Sequence, residues 1–193
     1  MDIEAVLFCT ASFFLKLERG FIMKMLTVSY HIDEINVYDD DEKVFHGQFL
    51  HQQDVTYILH DAYDKEVLSL KTLKRKRSFF QRHKKDIYTI MKDQVDCGHF
   101  LIKKTCVSCD VDQVTYTMYS GVINGNEMLL IYDDQKFIAQ IDIYQKESVL
   151  FLKDVSLTHI AVFMYMFFLE IGKVYSDVAS FVAHLPHEME VFL

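Results

Sequence analysis

The apolar stretch near the C-terminus restricts the fold more than any other feature of the chain. Every residue from Ile160 to Leu169 is apolar, and a helix that is apolar on all sides lies either in a membrane or inside a protein core. Asp154 or Ser156 can cap this helix, which ends before Pro186. A bilayer requires roughly 20 apolar residues, so this shorter run favours burial in a protein core. A membrane anchor over residues 157–171 is the alternative.

The predicted helix covers residues 155–185 and has two halves of different character. The second half, after Gly172, has apolar residues at helical spacing with polar residues between them. We therefore expect this half to lie on the surface with one face exposed. In the first half, His159 and Glu170 lie on one face and could form a polar pair, although separately hydrogen-bonded polar groups are the more common arrangement.

The chain before this helix has the pattern of consecutive antiparallel strands. Sixteen Phe and eleven Tyr, against one Pro and six Gly, favour extended segments with aromatic cross-strand pairs. Polar turns separate these segments, and Asn124-Gly125 is the strongest hairpin signal. The predicted strands are 25–31, 34–38, 43–50, 55–60, 66–73, 86–92, 97–104, 113–120, 127–132, 136–144 and 148–153.

These elements together predict the fold class. A helix that is buried on all sides needs a wall of protein around it, and about eleven antiparallel strands can form a closed wall of that width. The sequence therefore predicts a mainly β fold with one long C-terminal helix. Its architecture is a closed antiparallel β-barrel of about eleven to twelve strands around a buried hydrophobic helix.

Length and composition indicate a single domain. A chain of 193 residues with 51% apolar residues can bury one core. We assign the barrel domain to residues 23–185, an N-terminal extension to 1–22 and a C-terminal tail to 186–193. The extension is apolar but begins with acidic residues, where a secretory signal has positive charge. It is either a translated leader that precedes Met23 or an additional helix that packs on the barrel.

Charge and cysteine content restrict the partners and the compartment. The formal net charge of −8 argues against a general affinity for nucleic acid, because phosphates would be repelled by most of the surface. Four cysteines without a secretory signal do not have the density of a disulfide framework. We expect a cytoplasmic protein that binds no nucleic acid, with peripheral association at the inner membrane surface as a further expectation.

One segment reverses the sign of the charge. No acidic residue lies between Glu66 and Asp86, whereas this segment contains eight of the twenty basic residues. Such a group can neutralise phosphates or anionic lipid headgroups, and Phe79 and Phe80 could enter a membrane interface. The alternative is a solvated hairpin whose charges prevent pairing with another molecule. The basic residues are Lys71, Lys74, Arg75, Lys76, Arg77, Arg82, Lys84 and Lys85.

A second candidate site contains soft metal ligands. Cys97, His99, Cys106 and Cys109 supply four ligands, and the last two have the Cys-x-x-Cys spacing that chelates zinc. A single spacing of this kind is a weak signal, so buried free thiols in the barrel wall are the alternative. The other histidines lack a nucleophile or carboxylate at the spacing of a catalytic triad, and the chain has no Gly-rich phosphate loop. We therefore expect neither enzymatic activity nor a cofactor.

Three local patterns in the first half of the chain carry a resemblance to a known family. They are the hairpin from Ile35 to Phe45, the pattern from Leu59 to Leu68, and the basic run from Leu73 to Ile90. In this order, and followed by the apolar helix, they resemble the tubby C-terminal-like superfamily over residues 24–185. That superfamily includes the tubby proteins, the phospholipid scramblases and the plant LURP-one-related proteins, and this chain would be a bacterial member.

The resemblance implies a fold and a ligand. The fold is a roughly twelve-stranded antiparallel barrel around a hydrophobic helix, and the ligand is a phosphoinositide, which tubby proteins bind through basic residues. The matching positions here are Lys74, Arg75, Lys76 and Arg77. The expected function is therefore a non-enzymatic module that binds anionic lipid or phosphate. The alternatives are a protein-interaction scaffold and the membrane-anchored protein.

Overall fold

The computed structural model describes residues 23–50, 55–73, 87–144, 147–172 and 178–187. The described residues form twelve strands, a short 3₁₀ turn at Val155–Leu157 and two α-helices. The helices are α1 (Thr158–Ile171) and α2 (Val178–Val182). The strands are β1 (Lys24–His31), β2 (Glu34–Asp39), β3 (Glu42–Phe49), β4 (Val55–Asp61), β5 (Glu66–Leu73), β6 (Ile87–Lys92), β7 (Val95–Ile102), β8 (Val107–Val111), β9 (Val114–Ile123), β10 (Asn126–Asp133), β11 (Lys136–Ile143) and β12 (Glu147–Leu152).

The strands form a closed antiparallel barrel in which each strand pairs with its neighbours in sequence. The barrel is closed by β1 and β12, which pair from Lys24 opposite Leu152 to Ser29 opposite Glu147. This confirms the predicted fold class. Strand β8 was not among the predicted strands, yet it is required for closure. With an odd number of strands joined by hairpins, the first and last strands would run parallel.

Helix α1 fills the barrel. Every side chain from Ile160 to Phe168 is buried, as the unbroken apolar run predicted. The ring of Phe100 on β7 stacks on Phe163 and Phe167, with centroid distances of 5.8 and 3.9 Å. Two hydroxyl groups also connect helix and wall, because Tyr57 Oη donates to the Phe163 carbonyl over 3.1 Å and Tyr165 Oη lies 2.7 Å from Ser148 Oγ.

Asp154, one of the two caps that the sequence predicted, caps the 3₁₀ turn at Val155–Leu157, whereas α1 itself follows Leu157 without a side-chain cap. Asp154 Oδ1 accepts hydrogen bonds from Ser156 N at 3.1 Å and Ser156 Oγ at 2.6 Å. These hydrogen bonds, with a smaller contribution from Lys136, lower the pKa of Asp154.

The prediction of one helix over residues 155–185 was wrong. Helix α1 ends at Ile171, because Gly172 has a φ of +73° and a ψ of −174°, a backbone conformation that is incompatible with a continuing helix. His159 and Glu170 also do not pair. Eleven residues of helix separate them by about 16 Å along the axis, so they lie at opposite openings of the barrel.

Helix α2 packs on the outside of the barrel. Phe181 and Leu185 form a second apolar cluster with the outward-facing Met128, Leu130 and Tyr132 of β10. Residues 178–185 therefore lie on the surface of the barrel with a buried apolar face, in agreement with their amphipathic pattern. Among the described residues no helix is long and apolar enough to cross a membrane. Most side chains of the segment proposed as an anchor, 157–171, are buried inside the barrel.

Candidate anion-binding end of the barrel

By sequence, the strand connections at the two ends of the barrel carry opposite charge. In a barrel of antiparallel neighbours, successive connections alternate between the ends. We call one end acidic: its strand-to-strand connections contain six acidic residues and one basic residue. We call the other end basic: its connections contain ten basic and three acidic residues by sequence. The acidic end has the connections 40–41, 62–65, 93–94, 112–113 and 134–135, and the basic end has 32–33, 50–54, 74–86, 103–106, 124–125 and 144–146.

The charge of the acidic end follows from its turn chemistry. Each of its five connections contains an aspartate with positive φ, between +48° and +60°. Asp and Asn tolerate this left-handed conformation better than other non-glycine residues, and here Asp occupies every such turn. The five residues are Asp40, Asp64, Asp93, Asp112 and Asp134.

The predicted basic segment is attached at the opposite end. It leaves β5 after Leu73 and joins β6 at Ile87, and these two residues pair directly. Lys71 lies on β5 opposite Thr89 and is half-buried. The remaining predicted residues, together with Phe79 and Phe80, lie outside the described part of the chain; they are Lys74, Arg75, Lys76, Arg77, Arg82, Lys84 and Lys85.

Two basic residues of this end that the structure describes were not among the predicted site residues. Lys103 and Lys104 lie in the connection between β7 and β8 and are exposed. A hydrogen bond of 2.9 Å from Lys103 N to the Cys106 carbonyl closes this connection. Because β6 and β7 are paired, the connection lies beside the attachment points of the 74–86 segment. This proximity follows from the pairing of β6 with β7 and from the turn back into β8, and no local motif of residues 103–104 indicates it.

The structure does not bring the proposed zinc ligands together. The register of β7 and β8 places Cys109 in the core opposite Phe100, whereas His99 faces outward and pairs with Asp110 over 3.2 Å. Cys97 Sγ donates to the Ile90 carbonyl at 3.5 Å. In the part of the chain that the structure describes, no group of three or more His, Cys, Asp or Glu side chains is arranged to hold a metal ion.

The cysteines instead have the properties of free thiols in the barrel wall. Cys97, Cys106 and Cys109 form no disulfide bond. Burial raises the pKa of Cys97, and it raises the pKa of Cys109 well above its usual value. The thiolate is the nucleophile and the metal ligand, so the raised pKa values lower the reactivity of these two thiols in the folded barrel.

Comparison of the chain with models of protein families, with curated proteins and with solved structures finds no match.

Proposed function

We propose that this protein is a non-enzymatic module that binds an anionic, phosphate-bearing surface, specifically anionic membrane lipid, through the basic end of its barrel. The observation that carries the proposal is the segregation of charge between the two ends of a protein whose net charge is −8. A cation-rich end attracts anionic headgroups locally, and an acidic opposite end disfavours the reverse orientation, in which that end would contact the headgroups.

The position of the basic residues supports a surface ligand. Lys103 and Lys104 are exposed and lie next to the attachment points of the 74–86 segment, so two neighbouring connections contribute cations to one end. The interior of the barrel is filled by α1. The resemblance to the tubby C-terminal-like superfamily supports phosphoinositides as the first lipids to test, and a peripheral location at the inner membrane surface.

Vesicle flotation tests this proposal. The variant carries Lys74→Ala, Arg75→Ala, Lys76→Ala and Arg77→Ala. Each basic residue near an anionic surface contributes about 1 kcal/mol, so we expect the loss of four to lower the partition coefficient onto vesicles containing phosphoinositide or phosphatidylserine on the order of a thousandfold. Neutral phosphatidylcholine vesicles should bind neither protein.

A matched control separates the basic end from net charge. Lys43, Lys65, Lys136 and Lys153 lie in or beside the connections of the acidic end and are exposed. Their joint replacement by Ala also removes four positive charges, and vesicle binding should stay close to that of the wild type. Equal and negligible binding by the wild type and the 74–77 variant would contradict the proposal and leave a protein-interaction scaffold as the alternative.

A further inference from the structure

Two histidines form a stacked pair on the outer face of the barrel. His46 of β3 and His60 of β4 are directly opposite in the antiparallel ladder. Their rings are nearly parallel, with an interplanar angle of 13° and a centroid distance of 4.7 Å. The Nδ1 atoms of both rings are buried and have no hydrogen-bond partner among the described residues. No other pair of histidine rings in the described chain is seen to stack in this way.

This geometry favours the neutral form of His46. In a neutral imidazole, Nδ1 can remain a bare acceptor, whereas in the protonated ring it carries an N–H that needs an acceptor. A buried N–H without an acceptor is unfavourable. Protonation of both rings would also place two positive charges face to face at 4.7 Å, and like charges directly opposite each other destabilise a strand pair.

The surrounding charges do not offset this effect. On β2, Asn36 lies opposite His46, and Glu34 contributes a more distant negative charge. On β5, Glu66 lies opposite His60, but its carboxylate accepts a hydrogen bond of 2.8 Å from Ser69 Oγ. The nearest carboxylate to His46 is that of Asp64, at 3.6 Å from Nε2, and this side chain is 82% exposed to water.

The resulting pKa shift has a definite sign. Burial lowers the pKa of His46, His60 and Lys43 lower it further, and Asp64 and Glu34 oppose them. A folded state with a lowered histidine pKa binds fewer protons than the unfolded chain. The stabilisation is therefore complete above the unfolded pKa of about 6.5 and decreases as the pH falls from there toward the folded pKa.

The barrel wall beside the pair lies directly on the central helix. Gly47, next to His46, has no side chain, and an added Cβ there would meet the end of the Met166 side chain of α1. Gly47 pairs with Leu59, next to His60. Separation of β3 from β4 at this point would thus uncover the central helix.

We infer that the stacked pair of His46 and His60 is a pH-sensitive contact between β3 and β4, which keeps these two strands together while His46 is neutral and weakens their pairing when His46 is protonated in mildly acidic solution. The pair lies on the barrel side, so this device is independent of anion binding by the basic end. It gives the barrel a way to expose its core at one seam without unfolding the other strands.

Amide hydrogen exchange of the full chain tests the inference. Protection factors, corrected for the intrinsic pH dependence of exchange, are measured at about pH 7.5 and about pH 5.5, on either side of the histidine pKa of the unfolded chain. In the wild type we expect the protection of β3 and β4 amides to fall several-fold relative to β10 and β11 amides. In the variants His46→Gln and His60→Gln this local difference should disappear.

Two controls make the result specific. His99→Gln removes an exposed histidine that pairs with Asp110, and it should keep the wild-type response. His159 also has a pKa lowered by burial, but its protonation affects α1 and should change the protection of β3–β4 and β10–β11 together. A wild-type barrel with no local loss at the β3–β4 seam, or a local loss that persists in both pair variants, would overturn the inference.

Discussion

At the scale of single residues, a side chain added at either of two glycines would collide with a neighbour, and the two neighbours differ in how easily they can move. An added Cβ at Gly98 of β7 would collide with the backbone carbonyl of Asp110 on the paired strand β8. At Gly47 of β3 the collision is with the flexible end of the Met166 side chain. The backbone atom cannot move without distortion of the ladder, whereas the methionine can change its rotamer.

We therefore expect Gly98→Ala to destabilise the barrel more than Gly47→Ala. Overpacking by one methyl group costs about 1–3 kcal/mol, and Gly98→Ala should lie at or above the upper limit while Gly47→Ala lies near the lower. Urea denaturation followed by circular dichroism gives both free energies of unfolding. Equal decreases in the free energy of unfolding would contradict the prediction, because they would show that both surroundings accommodate the added methyl group equally well.

At the scale of elements, the sequence predicted those with a strong local pattern. The apolar run of α1 is too short for a bilayer and therefore favours burial in a protein core, and eleven strands have recognisable apolar runs between polar turns. Strand β8 was missed because it has only five residues and contains Ser108 and Asp110. Its place is determined by pairing with β7 and β9 rather than by its own composition. Because β8 was not predicted, the sequence also did not show that Cys109 points into the core.

The end of α1 depends on one residue. Gly172 has a φ of +73° and a ψ of −174°, and there is open space where a Cβ would be. This backbone region is almost restricted to glycine, so Gly172→Ala should destabilise the protein by about 1–3 kcal/mol through backbone strain alone. Thermal or urea denaturation measures the effect. Glu170→Ala, an exposed change in the same helical turn, should change stability little, and similar losses in both variants would contradict the backbone explanation.

At the scale of the whole molecule, the candidate site could be predicted only in part. The basic segment is visible in the sequence, because its charges are contiguous. The acidic end is not, because its five left-handed aspartates are spread from Asp40 to Asp134 and only the barrel topology gathers them at one end. The same holds for Lys103 and Lys104. Segregation of charge is therefore a property of strand order rather than of any local motif.

Binding through one end predicts that charge at the other end has little effect. An eight-residue strand such as β3, tilted by about 40°, spans about 20 Å along the barrel axis. The Debye length at physiological ionic strength is about 8 Å, so the acidic end is screened from a membrane that contacts the basic end. The variant Asp40→Asn, Asp93→Asn, Asp134→Asn keeps residues that tolerate positive φ and raises the net charge by three.

We expect this variant to bind anionic vesicles as the wild type does at physiological salt, and more tightly only at low salt, where the Debye length rises to about 30 Å. Flotation or sedimentation over a salt series measures both affinities. Binding governed by net charge would instead be strengthened at every salt concentration, because repulsion by the whole molecule would decrease. Tighter binding at physiological salt would therefore exclude attachment through the basic end alone.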